Sequence, residues 1–323
     1  MQKKHYRQLL FLALAAKGMK MLSNGAKDYK AKLFENHDEN IHFLLNTPLS
    51  LQRQVWESAA IKATLPAGVC IETVNDTEIT AEWISYPDSI NTRIILYFHG
   101  GGNSQGSCLT HRKLAACLAQ YSGCRTLVLE YPLAPENRFP AALLNCHQAY
   151  LWLLANGYSA EDIILAGDSS GGGLVMSLLL LLKQHQDPLP DSSVLLSPML
   201  DFTLSGKSIT LCKDLDPLLC IEDLIMTVKY YCSDSERSDP LVSPLFGDLS
   251  GLPPVFIQVG SEELLRDDAL RLSRYAKKAG MQVELEIWDG LWHVFQSSVG
   301  KVPEADEALQ AVAKFIRSRE SLP

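Results

Sequence analysis

Between Arg93 and Trp288, short β-like runs alternate with apolar stretches of helical length, and that rhythm admits few architectures. The runs are Arg93–Phe98, Arg125–Tyr131, Asp162–Gly167, Ser193–Ser197, Val255–Gly260 and Val283–Trp288, most of them rich in Val, Ile, Leu and Tyr. Between them lie His111–Gln120, Ala141–Leu154, Leu174–Gln184 and Asp267–Ala279, each long enough for a helix. A strand that feeds a helix that feeds a strand builds a parallel sheet with helices on both faces. Two earlier runs, Val69–Val74 and Ile79–Tyr86, are joined around Asn75-Asp76-Thr77 and read as an antiparallel hairpin. The expectation is an α/β chain with an eight-stranded, mostly parallel sheet. Residues 1–60, which look largely helical, and residues 202–240, with helical potential around Ile221–Tyr231, fall outside the alternation. Segments of this kind can fold over the carboxyl end of such a sheet.

One turn in this frame carries chemistry. Gly167-Asp168-Ser169-Ser170-Gly171 follows the run Asp162–Ala166 and precedes an apolar stretch of helical length. A G-x-S-x-G sequence between strand and helix makes a sharp turn that pushes its serine into a strained conformation. Gly167 and Gly171 leave room for the strand and helix to pack closely, and Ser169 projects its hydroxyl over the strand ends. The competing reading is a Gly/Ser-rich loop without chemistry, so the rest of the chain must decide.

A nucleophilic serine needs a base, an orienting acid and donors for an oxyanion. His99-Gly100-Gly101-Gly102 follows the run ending at Phe98. Its glycines can turn backbone N–H groups into a cavity, so Gly101, Gly102 and Ser170 are the candidate donors. His99 and Gly100 read as anchors of that loop, and Asp168 as part of the turn. His293, in the loop after the last run, lies where the base falls in the order serine, acid, histidine. The acid must come from Ser261–Asp268, which holds four carboxylates. Residues early in that loop are favoured, in the order Glu263, Glu262, Asp267. Asp267 and Asp268 also suit the first turn of a helix, where negative charge complements the dipole.

The net charge of −8 and the absence of a Lys/Arg cluster argue against nucleic acid and anionic membranes as partners. None of the eight cysteines forms a C-x-x-C pair, so they read as free thiols, several of them small hydrophobes in a reducing compartment. No P-loop, G-x-G-x-x-G or H-E-x-x-H pattern occurs, and no metal or organic cofactor is expected. Leu9–Ala16 after Lys3, Lys4 and Arg7 could be the short apolar core of a signal peptide. An amphipathic or buried helix is preferred, and the run is shorter than the ~20 residues of a membrane span. A cytoplasmic location follows.

Taken together, His99–Gly102, the elbow at Gly167–Gly172 and Tyr131-Pro132-Leu133-Ala134-Pro135-Glu136 with Phe139-Pro140-Ala141-Ala142 resemble the hormone-sensitive-lipase-like branch of the α/β-hydrolases. That branch comprises mainly bacterial carboxylesterases. Ser197-Pro198-Met199-Leu200-Asp201, Asp216-Pro217-Leu218 and Gly251-Leu252-Pro253-Pro254 extend the resemblance over roughly residues 65 to 318. The family's usual D-P-L-x-D acid motif lies thirty residues ahead of the histidine, a register that selects Glu263 here, with Glu in place of Asp. Asn103, where an aromatic often follows the glycines, and Ser170, where alanine is common, are smaller departures. The resemblance also implies a helical cap: residues 1–60 as an N-terminal cap segment, and a catalytic domain over 61–323 with a cap insertion near 202–240.

The expected function is hydrolysis of short- to medium-chain acyl esters through Ser169, His293 and Glu263 by way of an acyl-enzyme, with a small-molecule ester as partner. Lactone hydrolysis or small-molecule deacetylation at the same site is the alternative. A rival of another class is a non-catalytic receptor, like plant gibberellin receptors, which resemble the family but have lost the histidine. A membrane-associated lipase using the apolar N-terminal segment is a third reading. A homodimer is compatible with the sequence, which is silent on oligomeric state.

Overall fold

The computed structural model describes residues 22–319, so the apolar segment Leu9–Ala16 lies outside the described residues. Among the described residues three helices come first: α1 (Asn24–Glu35), α2 (His37–Asn46) and α3 (Leu49–Ile61). The strands β1 (Cys70–Asn75), β2 (Thr80–Ser85) and β3 (Ile90–Phe98) lead into α4 (Cys108–Ser122) and β4 (Cys124–Leu129). Next come α5 (Ala141–Ala155), β5 (Ile163–Asp168), α6 (Ser170–His185) and β6 (Ser192–Leu196). A connection holding the short α7 (Ser208–Leu211) and α8 (Ile221–Tyr231) leads to β7 (Val255–Gly260), α9 (Arg266–Lys278), β8 (Val283–Trp288) and α10 (Pro303–Ser318).

All eight strands join one sheet in the order β1-β2-β4-β3-β5-β6-β7-β8. Only the β1–β2 and β2–β4 pairings are antiparallel; every pairing from β4 to β8 is parallel. The central strands are buried on both faces, which explains why they read as largely apolar runs without polar alternation. In β3, Ile94, Leu96 and Phe98 face one core layer, while Ile95 and Tyr97 face the other. The first layer is completed by α5, α6 and α9, and the second by α4 and α10. This is the eight-stranded, mostly parallel α/β sheet that the alternation predicted.

Differences lie at element ends. Helix α6 begins at Ser170, four residues before the apolar run, because Gly171, Gly172 and Gly173 hide its first turn from propensity. A Cβ on Gly171 would strike the carbonyl oxygen of Phe98, so only glycine lets this helix cross β3 so closely. None of the eight cysteines is joined in a disulfide, and seven are buried.

Candidate active site

Ser169 sits between β5 and α6 with φ 51° and ψ −122°, a region that costs a non-glycine residue about 1–3 kcal/mol. Besides the first helical bond from the Gly173 N–H to its carbonyl (3.2 Å), two backbone hydrogen bonds to neighbouring segments hold it there. Its N–H donates to the Leu196 carbonyl at the end of β6 (2.9 Å), and its carbonyl accepts the Met199 N–H (2.9 Å). The strained turn is therefore braced by the neighbouring strand and by the segment that follows it.

His293 arrives from the loop after β8. Its Nε2 lies 2.9 Å from Ser169 Oγ, and its Nδ1 lies 3.0 Å from Glu263 Oε2. A carboxylate can only accept, so Nδ1 carries the proton and Nε2 offers its lone pair to the serine hydroxyl. Glu263 is fully buried; its other oxygen accepts the Gly260 N–H at 3.1 Å. Ser197, at the end of β6, ties the acid and base loops together. Its hydroxyl accepts the Val294 N–H (3.0 Å) and also bonds Glu263. Val294 itself is held at φ 47°, which a β-branched residue rarely adopts.

Burial disfavours an imidazolium at His293, yet its hydrogen bond to Glu263 and that group's charge raise the pKa above the ordinary value. Burial likewise raises the Glu263 carboxyl, with the His293 hydrogen bond acting in the opposite direction. Asp216, buried nearby, accepts backbone N–H groups from Leu218 (3.1 Å), Leu219 (3.3 Å) and Leu264 (3.3 Å), and burial raises its carboxyl too. It fixes the acid loop against the connection that follows β6.

The other carboxylates of Ser261–Asp268 turn elsewhere. Glu262 pairs with Lys30 of α1, Asp267 accepts the Ser208 N–H (3.2 Å), and Asp268 accepts those of Leu200 (2.8 Å) and Asp201 (3.0 Å). Only Glu263 among them meets His293.

Gly101 and Gly102 line the same cavity as Ser169. Gly101 has φ 115°, and a Cβ there would collide with the Gln105 carbonyl, so the loop demands glycine. The N–H groups of Gly101, Gly102 and Ser170 meet no acceptor among the described residues. The Asn103 N–H donates to Ser170 Oγ (3.1 Å), docking the glycine loop on the elbow. His99 is turned away from the serine: its ring stacks on Tyr131 at 4.1 Å, and Nδ1 donates to the Gly100 carbonyl (2.8 Å). Burial lowers its pKa to about 3, so it stays neutral. Behind the elbow, Asp168 accepts from Tyr97 Oη (2.6 Å) and the Gly100 N–H (3.0 Å), with His111 Nε2 at 3.4 Å. Burial works against its charge, but His111 and Tyr97 hold the carboxyl below its usual range.

The cavity over Ser169 encloses about 250 Å³. Trp56 of α3 and Leu218, Asp223, Leu224 and Thr227 from the β6–β7 connection form its outer wall. Sequence reasoning singled out none of these as site residues. Glu222 and Asp223 look like ordinary first-turn acids, and a tryptophan in an amphipathic helix carries no signal of its own.

Comparison with known proteins identifies the relatives of this chain. A family model described as the alpha/beta hydrolase fold matches residues 95–297. An esterase of Acinetobacter venetianus is 41% identical over 228 residues, covering 70% of this chain and 75% of the relative. An acetyl-hydrolase of Streptomyces hygroscopicus is 40% identical over 239 residues, covering 74% and 80% respectively. The crystal structure of an esterase from the bacterial hormone-sensitive lipase family superposes with a TM-score of 0.86 at 36% identity, covering 93% of this chain and 99% of the other. The chain is an ester-hydrolysing enzyme of the α/β-hydrolase family and belongs to its hormone-sensitive-lipase-like branch.

Proposed function

We propose that Ser169, His293 and Glu263 form the catalytic triad of a carboxylesterase for short- to medium-chain acyl esters. The unbroken hydrogen-bond chain from Ser169 Oγ through His293 to Glu263 carries this reading. Ser169 Oγ attacks the ester carbonyl while His293 Nε2 takes its proton, and Glu263 stabilises the imidazolium that forms. The N–H groups of Gly101, Gly102 and Ser170 receive the oxyanion; a donor of this kind contributes about 100- to 1,000-fold in rate. His293 then protonates the departing alkoxide. Water, deprotonated by His293 in its turn, releases the acid from the acyl-enzyme. Asp168, His99 and Gly100 serve as supports of the elbow and the glycine loop.

A cavity of about 250 Å³ lies below the ~300–1,000 Å³ range of sites for drug-sized ligands, which favours small acyl and alcohol groups. Trp56 and the residues of the β6–β7 connection in its wall support reading the N-terminal helices and the 202–240 region as a cap. The 40% identity to an acetyl-hydrolase favours acetylated small molecules as a second substrate reading. The intact serine–histidine pair speaks against a receptor. For the membrane-lipase reading, no helix among the described residues is long and apolar enough to cross a bilayer.

A series of p-nitrophenyl esters of increasing chain length tests the reading. Turnover should peak at short to medium acyl chains, and rates that climb steadily into long chains would overturn the assignment. The pH profile supplies a second check. Catalysis needs neutral His293, whose pKa is raised, so activity is lost as pH falls through that raised value. The acidic limb of kcat/KM should therefore lie above the 6.5 of an ordinary histidine, and a limb well below it would count against a Glu263-coupled base.

A further inference from the structure

A second cavity, of about 430 Å³, lies between α2, α3 and the start of α8. It shares Trp56, Gln105, Leu218 and Asp223 with the cavity over Ser169, so the two adjoin along that line of residues. Asp223 has an unusual position. It faces both cavities, and among the described residues its carboxylate has no hydrogen-bond partner. The other carboxylate at the serine cavity, Asp168, is already engaged by Tyr97, Gly100 and His111. Neither cavity is lined by a lysine or arginine among the described residues. His37 is the one side chain of the outer cavity that can become cationic, and its Nδ1 is turned to the Pro217 carbonyl at 3.2 Å. On the serine side the titratable neighbours are His111, bound to Asp168, and His293, bound to Glu263. Trp56 supplies an indole at the junction and remains 37% exposed, so the junction is open at its edge; Phe43 adds a second ring in the outer cavity.

A carboxylate without a hydrogen-bond partner, lining the same cavities as a tryptophan and with no lysine or arginine in either lining, is the chemistry that recognises an ammonium group: Coulomb attraction from the acid, and the negative ring face from the indole. We propose that the outer cavity is a subsite for a cationic group of the substrate, held by Asp223 and Trp56 while the ester lies over Ser169. The inference rests on the esterase reading above and names the class of ester: one bearing an ammonium group beyond the scissile bond. Burial raises the Asp223 carboxyl to about 6, so it is ionised at pH 8, where the assay is set.

The test uses matched pairs that differ only in charge. On the acyl side, p-nitrophenyl esters of ω-trimethylammonio acids of increasing length are compared with isosteres ending in tert-butyl. On the alcohol side, butyrylcholine is compared with 3,3-dimethylbutyl butyrate. The full-length enzyme should prefer the cationic member of at least one pair by about tenfold or more in kcat/KM, the gain appearing in KM. Asp223→Asn should cut that ratio below about threefold, and Trp56→Leu should lower it too. Because each ratio compares two substrates on one enzyme preparation, partial loss of folded protein cancels. A native ratio near one on both sides, or a preference unchanged in both variants, overturns the proposal. Hydrolysis of the neutral esters without cation preference sinks the subsite alone, whereas no hydrolysis of any ester sinks the esterase reading with it.

Discussion

Replacing Ser169 with alanine should lower kcat for p-nitrophenyl butyrate by about 10⁶-fold, the order expected when the serine of an interdependent triad is removed. That factor corresponds to about 8 kcal/mol of transition-state stabilisation. The loss exceeds what any one hydrogen bond is worth because three events fail together. No oxygen attacks, His293 has no proton to take, and no acyl-enzyme divides the reaction. The donors at Gly101, Gly102 and Ser170 remain, so activity should stay about 10³- to 10⁴-fold above water. The variant keeps the Cβ and the backbone bonds that brace the elbow, so its thermal unfolding should stay close to native. Steady-state kinetics with a burst-phase control checks the prediction; a variant retaining more than about one per cent of native kcat would remove Ser169 from the role assigned to it.

The second large effect belongs to Glu263→Gln, expected to cost about 10⁴-fold in kcat. The direction follows from where the new amide must point. Oε1 of Glu263 accepts the Gly260 N–H, so the amide oxygen of glutamine is drawn to that position and its NH₂ faces His293 Nδ1. Two donors cannot share one hydrogen bond. The imidazole therefore moves its proton to Nε2, and the nitrogen facing Ser169 becomes a donor with no lone pair for the serine proton. The neighbours provide the contrast. Glu262→Gln gives up a partly exposed pair with Lys30, worth about 0–1 kcal/mol, and should retain nearly native turnover. Asp267→Asn should do the same, since the carboxylate it alters meets Ser208 rather than His293. Near-native kcat in Glu263→Gln, or a deeper loss in Glu262→Gln, would reassign the acid.

How these carboxylates differ explains what could and could not be read from the chain. The strand–helix rhythm was legible because each central strand is buried on both faces and so is largely apolar. Ser169, His293 and the glycines stood out because their chemistry demands particular residues at particular strand ends. For the acid, the residues alone ranked Glu263 ahead of Glu262 and Asp267, and the family register pointed to Glu263 as well, but neither shows which carboxylate meets the histidine. Glu262 and Glu263 are adjacent and chemically alike, and what separates them is the direction of each side chain, toward Lys30 or toward His293. Direction comes from the folded surroundings: the Gly260 N–H at the end of β7 and the sequence-distant Ser197 meet Glu263, while Asp216 pins the neighbouring Leu264. Trp56 and Asp223 were less legible still. They lie far apart in the sequence, in helices whose patterns are fully accounted for by ordinary amphipathicity and dipole rules. Only the folded chain brings them to one junction.

The cavity over Ser169 draws its walls from two sources that answer to different constraints. Its floor is formed by residues in the turns that follow strand ends, Ser169, Gly101 and His293. Its roof comes from α3 and α8, which touch the floor but supply none of the reacting atoms. Drift in the roof changes what enters without disturbing what happens next. A lineage of such enzymes can thus exchange diets while keeping one reaction, and a protein engineer can treat selectivity as a replaceable part.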